Sequence, residues 1–178
     1  LVPLGSAPSG PECDYGWIQP GTAVSRTKLG EAFEVASFIE KPARKAAESA
    51  LLGGALWNTS IVIGRLATLW ALGWRYLEKI MVPFVELWDS LGRPQEEQVL
   101  DRIYRTIPVL DFSRDLLQAA TKHLAVMKLE GVFWSDWGSP ARILDTLHTF
   151  GLRPAYSRMR AERSAARRRV TTDGLRAY

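Results

Sequence analysis

Four positions in this sequence combine polar chemistry with apolar surroundings. Asp136 stands in Phe133-Trp134-Ser135-Asp136-Trp137-Gly138-Ser139, where bulky residues run into one carboxylate and then a small-residue turn. A carboxylate beside two tryptophans is costly to bury without a partner. A divalent cation held by oxygen ligands is one such partner. Two structural alternatives stay open: Asp136 caps the helix that starts near Pro140, or Ser139 caps it while Asp136 bonds the turn backbone. Glu40 and Lys41 follow an apolar run over residues 33–39. The lysine there can give a point charge to a phosphate, or pair with its neighbour in solvent. Asn58 lies between Trp57 and Ile61-Val62-Ile63; it suits sugar hydroxyls, or bonds neighbouring backbone in a turn. Gly16, beside Trp17, marks a close approach of backbone or ligand, or else a bulge.

These groups need elements to position them. Residues 33–39 predict a strand with Phe33, Val35 and Ser37 on one face. Pro42 suits the first turn of a helix, which runs through Arg44, Ala47 and Leu51 to Gly53-Gly54. Residues 15–19 alternate weakly and predict a short strand stopped by Pro20-Gly21. Residues 55–64 predict a buried strand. Residues 65–91 are helical in pattern, with a break expected at Gly73. Their apolar stripes (Leu66, Leu69, Trp70, Tyr76, Leu77, Ile80, Val85 and Trp88) read as core. Residues 94–107 predict another helix, acidic at its start as the helix dipole favours, with Val99, Leu100, Ile103 and Tyr104 inward. Asp111 or Ser113 caps a further short helix. Residues 124–129 predict a strand leading into the stretch that ends at Asp136, itself read as a strand end before a helix. Open α/β sheets bind ligands at the carboxyl ends of their strands. Glu40, Lys41, Asn58 and Asp136 are therefore expected at the rim of a single sheet.

Composition bounds the classes. The chain has 178 residues, 47% of them hydrophobic, with seven tryptophans and a net charge of +4. That length fits one domain or a large part of one. No apolar run approaches the roughly 20 residues that span a bilayer, so no membrane segment is expected. No secretory signal is read at the start. Cys13 is the single cysteine, which excludes an internal disulfide framework and fits a reducing, cytoplasmic setting. With two histidines far apart, His123 and His148, zinc is not expected. The sequence begins on Leu1 and reads as a fragment whose first half is missing. From Arg153 to Arg169 it carries seven arginines against one acid, Glu162. That run is read as a separate tail, residues 153–178, and such runs are more often solvated than bound to nucleic acid.

Four patches, in order and at their distances, resemble the sugar-nucleotide (sugar-1-phosphate) nucleotidyltransferases, most closely the mannose-1-phosphate guanylyltransferases. They are Tyr15-Gly16-Trp17-Ile18-Gln19-Pro20-Gly21, Phe38-Ile39-Glu40-Lys41-Pro42, Leu56-Trp57-Asn58-Thr59-Ser60-Ile61 and Phe133-Trp134-Ser135-Asp136-Trp137-Gly138-Ser139. Asp111-Phe112-Ser113-Arg114-Asp115 resembles the segment which that family places before its last core strands. The resemblance covers residues 1–152 and implies the C-terminal, sugar-phosphate-binding part of a doubly wound, Rossmann-like α/β fold with flanking helices. It implies transfer of a nucleotide from a nucleoside triphosphate, GTP by similarity, to a sugar 1-phosphate, mannose 1-phosphate by similarity, with release of pyrophosphate. Magnesium is the implied cofactor.

Carried over residue by residue, Asp136 matches the second metal carboxylate and, with Lys41 on the sugar phosphate, the catalytic set. Glu40 matches the acid on sugar hydroxyls, Gly16 the glycine whose backbone lies against the sugar, and Asn58 the asparagine that orients it. Ser60 stands where the family usually has glycine, and Trp137 where valine is commoner. The family's glycine-rich loop and first metal carboxylate have no counterpart in this sequence. The chain alone is therefore expected to be inactive. A non-catalytic regulatory or scaffold relative is the competing reading, and nucleic-acid binding through the tail ranks third. Homo-oligomerisation is compatible with the sequence.

Overall fold

The structure, a computed structural model, describes residues 1–27 and 30–153. The tail is outside the described residues beyond Arg153. The chain divides into two compact units, Leu1–Trp134 and Ser135–Tyr178.

The first unit is mixed α/β. Its strands are β1 (Val2–Ser6), β2 (Gly16–Thr27), β3 (Gly30–Glu40), β4 (Leu56–Ile63) and β5 (Ala125–Leu129). Their ladder runs β1-β4-β2-β3-β5 and closes on itself. β1 and β5 pair parallel, and every other pairing is antiparallel. Helix α1 (Arg44–Leu52) links β3 to β4 and ends at Gly53-Gly54, with Gly54 at φ 74°. Helices α2 (Leu66–Tyr76), α3 (Glu78–Ser90) and α4 (Glu96–Thr106) follow. A π-helical segment, Phe112–Gln118, and a 3-10 turn, Thr121–His123, lead into β5.

Among the described residues three buried clusters make the core. Leu72, Leu116 and Ala120 form one, and the strands build the other two, with a register shift between Ser37 and Val35 that returns Val35 to the face of Phe38. Ile18, Val35, Phe38 and Leu56 form one buried cluster with Leu117, Leu124 and Val126. Tyr15, Trp17 and Trp57 form the other, with Ala47 of α1. Each large side chain buried this way contributes about 2 kcal/mol. Trp134 closes the second cluster, its ring 5.1 Å from Tyr15 and 6.4 Å from Trp57.

Several expectations are corrected. β2 is not stopped at Pro20-Gly21; it continues to Thr27 through register shifts at Gln19/Pro20 and Pro20/Ala23. Bulges are where a strand accommodates proline. The helical break falls at Leu77, whereas Gly73 lies buried inside α2, where an added Cβ would stand 3.0 Å from Met81 Sδ. The stretch before Asp136 is not a strand: residues 132–138 form no ladder. The helical stripes are not all core. Trp88 is 70% exposed, Leu66 76% and Tyr104 65%, while Leu72 and Ile103 are buried. A stripe shows which face of a helix is apolar, not that another element covers it.

The second unit holds α5 (Pro140–Thr149). Pro140 occupies its first turn, where the missing N–H costs nothing. Ser139 Oγ accepts the Arg142 N–H at 3.3 Å as the cap. Along this helix Leu144 is exposed and Thr146 buried.

Candidate functional site

Register builds the site. In β2, Ile18 faces Phe38 of β3 and Leu56 of β4. Two residues along each strand the side chains return to the same face. Those positions are Gly16, Glu40 and Asn58: Gly16 pairs with Glu40, and Asn58 is one step beyond the Trp17–Trp57 pair. A polar layer thus sits directly on an apolar one. Because the pairings are antiparallel, Glu40 ends its strand whereas Gly16 starts its own and Asn58 is near the start of β4. The expectation of carboxyl ends alone is corrected in that respect.

The contacts in this layer are close. A Cβ on Gly16 would stand 2.5 Å from Glu40 Oε2, 3.1 Å from Asn58 Cβ and 3.3 Å from Asn58 Nδ2. Asn58 is buried, and Glu40 Oε2 is a buried atom with no hydrogen-bond partner among the described residues. A buried acceptor without a donor is costly, and a ligand hydroxyl would supply one. Burial pushes the Glu40 carboxyl above its usual range, and Asp111 adds to the rise; Lys41 and Arg114 oppose it. Lys41 is exposed, its backbone turned to φ 47°, with its N–H donating to Tyr15 O at 3.2 Å.

The π-helical segment supplies groups that sequence reasoning did not assign to the site. Leu117 packs into the apolar layer. That anchoring brings Ser113 Oγ to 3.2 Å from Asn58 Nδ2, and Gln118 Oε1 to 2.9 Å from the Glu40 N–H. Asp111 caps the segment, accepting the N–H groups of Ser113 at 2.9 Å and Arg114 at 3.0 Å. Asp115 Oδ2 accepts the Asp111 N–H at 2.6 Å, which closes the cap reciprocally. The only signal in the sequence was Asp111-Phe112-Ser113-Arg114-Asp115 itself; Gln118 gave none.

Gly16, Glu40, Lys41 and Asn58 are thus brought together in the first unit. Asp136 belongs to the second. There its Oδ2 pairs with Arg142 Nη1 at 3.2 Å and its Oδ1 accepts the Gly138 N–H at 2.9 Å. A Cβ on Gly138 would stand 2.6 Å from Asp136 Oδ2, so a side chain there would push the carboxylate aside. Trp137 holds φ 53°, and its indole N–H donates to Thr146 Oγ1 at 3.2 Å. Of the alternatives for this turn, Ser139 as cap with Asp136 on the backbone is the arrangement present. Non-glycine residues at positive φ are uncommon and gather where function over-determines the backbone. Among the described residues they are Lys41, Ser60 and Trp137, each next to or within two residues of a candidate site residue.

The described residues contain no cluster of three or more His, Cys, Asp or Glu able to hold a metal. Magnesium normally takes one or two carboxylates with phosphates and water, and Asp136 has the donor chemistry for one such ligand.

No family model matches the chain. The chain is similar in sequence and in fold to sugar-1-phosphate nucleotidyltransferases. Its curated relatives there are mannose-1-phosphate guanylyltransferases. That of Salmonella montevideo is 34% identical over 148 residues, 78% of this chain and 30% of the relative. One from Escherichia coli is 32% identical over 116 residues, 64% of this chain and 22% of the relative. The solved structure of mannose-1-phosphate geranyltransferase from Thermus thermophilus superposes with a TM-score of 0.56 at 26% identity, over 71% of this chain and 34% of that one. The chain spans less than a third of the length of the curated relatives it matches. The resemblance read from the four patches therefore holds. No helix among the described residues is long and apolar enough to cross a membrane.

Proposed function

We propose that this chain is the sugar-phosphate-binding part of a mannose-1-phosphate guanylyltransferase-like enzyme. The full-length protein would transfer a guanylyl group from GTP to mannose 1-phosphate. A phosphate oxygen of the sugar 1-phosphate attacks the α-phosphorus, and pyrophosphate leaves. Such a reaction asks the protein for positioning and charge neutralisation more than for covalent chemistry. Glu40 accepts hydrogen bonds from sugar hydroxyls, Asn58 donates one to the sugar, and Gly16 lets the ring approach the backbone. Lys41 supplies positive charge to the sugar phosphate. Asp136 would hold magnesium, which when bound neutralises phosphate charge. The observation that carries the reading is the orphaned Oε2 of Glu40, buried beside Gly16 and Asn58.

The test is direct. The 178-residue chain is titrated with mannose 1-phosphate, followed by NMR or calorimetry. Binding that Glu40→Gln and Lys41→Ala each weaken by about tenfold to a hundredfold supports the reading, since each removes a charge-assisted contact of about 1.5–3 kcal/mol. No binding at millimolar ligand sinks it. Incubation of this chain with GTP, magnesium and mannose 1-phosphate is expected to release no pyrophosphate.

A second reading, a non-catalytic relative that regulates or scaffolds a partner, is favoured by the ion pair that occupies Asp136. Sugar phosphate binding without any transfer in the full-length protein would single it out.

A further inference from the structure

The carboxamide of Asn58 is held at both ends. Its Oδ1 accepts the Ser60 N–H at 3.2 Å, an Asx turn closed two residues on. Ser60 adopts φ 62° in that turn. Only the oxygen of an amide accepts, so this bond fixes which end faces the backbone. The Nδ2 end then faces Ser113, 3.2 Å away, and the space beside Gly16. Nδ2 carries two hydrogens. Ser113 takes one and the other remains for a ligand oxygen. Ser113 Oγ acts as acceptor here, and among the described residues its hydroxyl donates to no other group.

Ser113 reaches this place because of its helix. Leu117, four residues on, is fully buried in the apolar layer, and Asp111 fixes the first turn. Gln118 ties the other end to the Glu40 N–H. One short segment therefore bonds both Asn58 and Glu40, which flank Gly16. A rotation of Asn58 about its terminal torsion, which is intrinsically soft, would break the contact with Ser113.

We propose that Ser113 is a positioning residue for the sugar, acting through Asn58: its hydroxyl holds the carboxamide so that one N–H of Asn58 stays aimed at a ligand hydroxyl. The proposal rests on the sugar-phosphate reading above. It concerns the sugar and not the phosphate, which is left to Lys41.

The experiment compares the full 178-residue chain with Ser113→Ala and Ser113→Thr, using mannose 1-phosphate and inorganic phosphate as separate probes. Ser113→Ala is expected to bind mannose 1-phosphate about tenfold more weakly, the worth of one buried hydrogen bond. Its affinity for inorganic phosphate should not change, and Ser113→Thr, which keeps the hydroxyl, should recover most of the loss. In the unliganded chain, the Asn58 side-chain amide protons should shift and exchange faster in Ser113→Ala than in the wild type. Should Ser113→Ala fail to fold, Ser113→Cys, similar in size but a weak acceptor, is expected to show the same selective loss. Unchanged mannose 1-phosphate affinity, equal losses for both probes, or unmoved Asn58 signals would each overturn the proposal. If the wild type binds mannose 1-phosphate and Ser113→Ala binds it equally, this inference alone falls. If the wild type does not bind it at all, the sugar-phosphate reading falls and takes this one with it.

Discussion

Gly16 and Glu40 are paired residues on neighbouring strands, and the carboxylate lies so close that a methyl group on Gly16 would stand 2.5 Å from its Oε2. The glycine thus leaves room for its neighbours' side chains, and its own backbone angles do not call for it. Gly16→Ala must displace the Glu40 side chain or open the β2–β3 ladder. Overpacking of this kind costs about 1–3 kcal/mol. Thermal melting should fall accordingly, and mannose 1-phosphate affinity should fall by more than about tenfold. A variant that melts and binds like the wild type would show that the layer is not closed at this point.

The raised pKa of Glu40 gives a pH dependence with a definite sign. Burial is the first cause and Asp111 the second. A carboxyl whose folded pKa exceeds its unfolded value keeps its proton longer in the folded state. Between the two values the folded state binds more protons, so stability falls as pH rises through that window. The window starts near the ordinary glutamate value of 4.5 and extends upward. Glu40→Gln should flatten this fall, and the variant should melt no lower than the wild type at neutral pH while binding mannose 1-phosphate less tightly. Melting curves taken from about pH 4 to about pH 7 read this out. A profile with the same slope in both proteins would remove Glu40 as the titrating group.

Ser60 is one of the places where a side chain sits on glycine geometry. It holds φ 62° and is exposed, so its side chain contributes little packing. Left-handed backbone costs a non-glycine residue roughly 1–2 kcal/mol. Part of that returns as unfolded-chain entropy when glycine replaces it. Ser60→Gly should therefore raise stability by about 0.5–1 kcal/mol, and the Asx turn to Asn58 should persist. A lower melting temperature would mean that the serine hydroxyl makes a contact worth more than the strain.

Gly16, Glu40 and Asn58 stand out in the sequence as polar or small residues beside apolar runs, and by resemblance. That they form one layer, two positions from Ile18, Phe38 and Leu56, comes from the pairing of the strands, which was not read from the sequence. Three further things were not legible. Pro20 reads as a stop, yet bulges carry β2 past it, since only tertiary pairing decides whether a proline falls where a ladder hydrogen bond is missing. Trp88 and Leu66 read as core because periodicity reveals an apolar face without revealing whether anything lies on it. Ser113 and Gln118 reach Asn58 and Glu40 across 55 and 78 positions. Contacts that long depend on the packing of Leu117, which no local pattern encodes. At Asp136 the costly carboxylate did find a partner, but that partner was Arg142, six residues away and inside the following helix.

That pairing makes the metal role of Asp136 testable within this chain. The Asp136–Arg142 contact is partly buried, with side-chain exposures of 33% and 16%, and lies beside the Ser139 cap. Asp136→Asn keeps an oxygen for the Gly138 N–H but removes the charge, a loss of about 1 kcal/mol that salt reduces. Ser139→Ala removes the cap instead, and also costs about 1 kcal/mol, but without a salt dependence of that kind. Magnesium bound at Asp136 would compete with the Arg142 guanidinium for the same carboxylate. If Asp136 is a magnesium ligand, Arg142→Ala should bind magnesium more tightly than the wild type, and Asp136→Asn should not bind it at this position. Magnesium titrations monitored on the Gly138 amide signal distinguish the three proteins. If the full-length protein has the activity proposed above, Asp136→Asn in it should abolish magnesium-dependent pyrophosphate release. Equal magnesium responses in all three, together with undiminished release, would leave Asp136 as the turn-former that its bonds to Gly138 and Arg142 already make it.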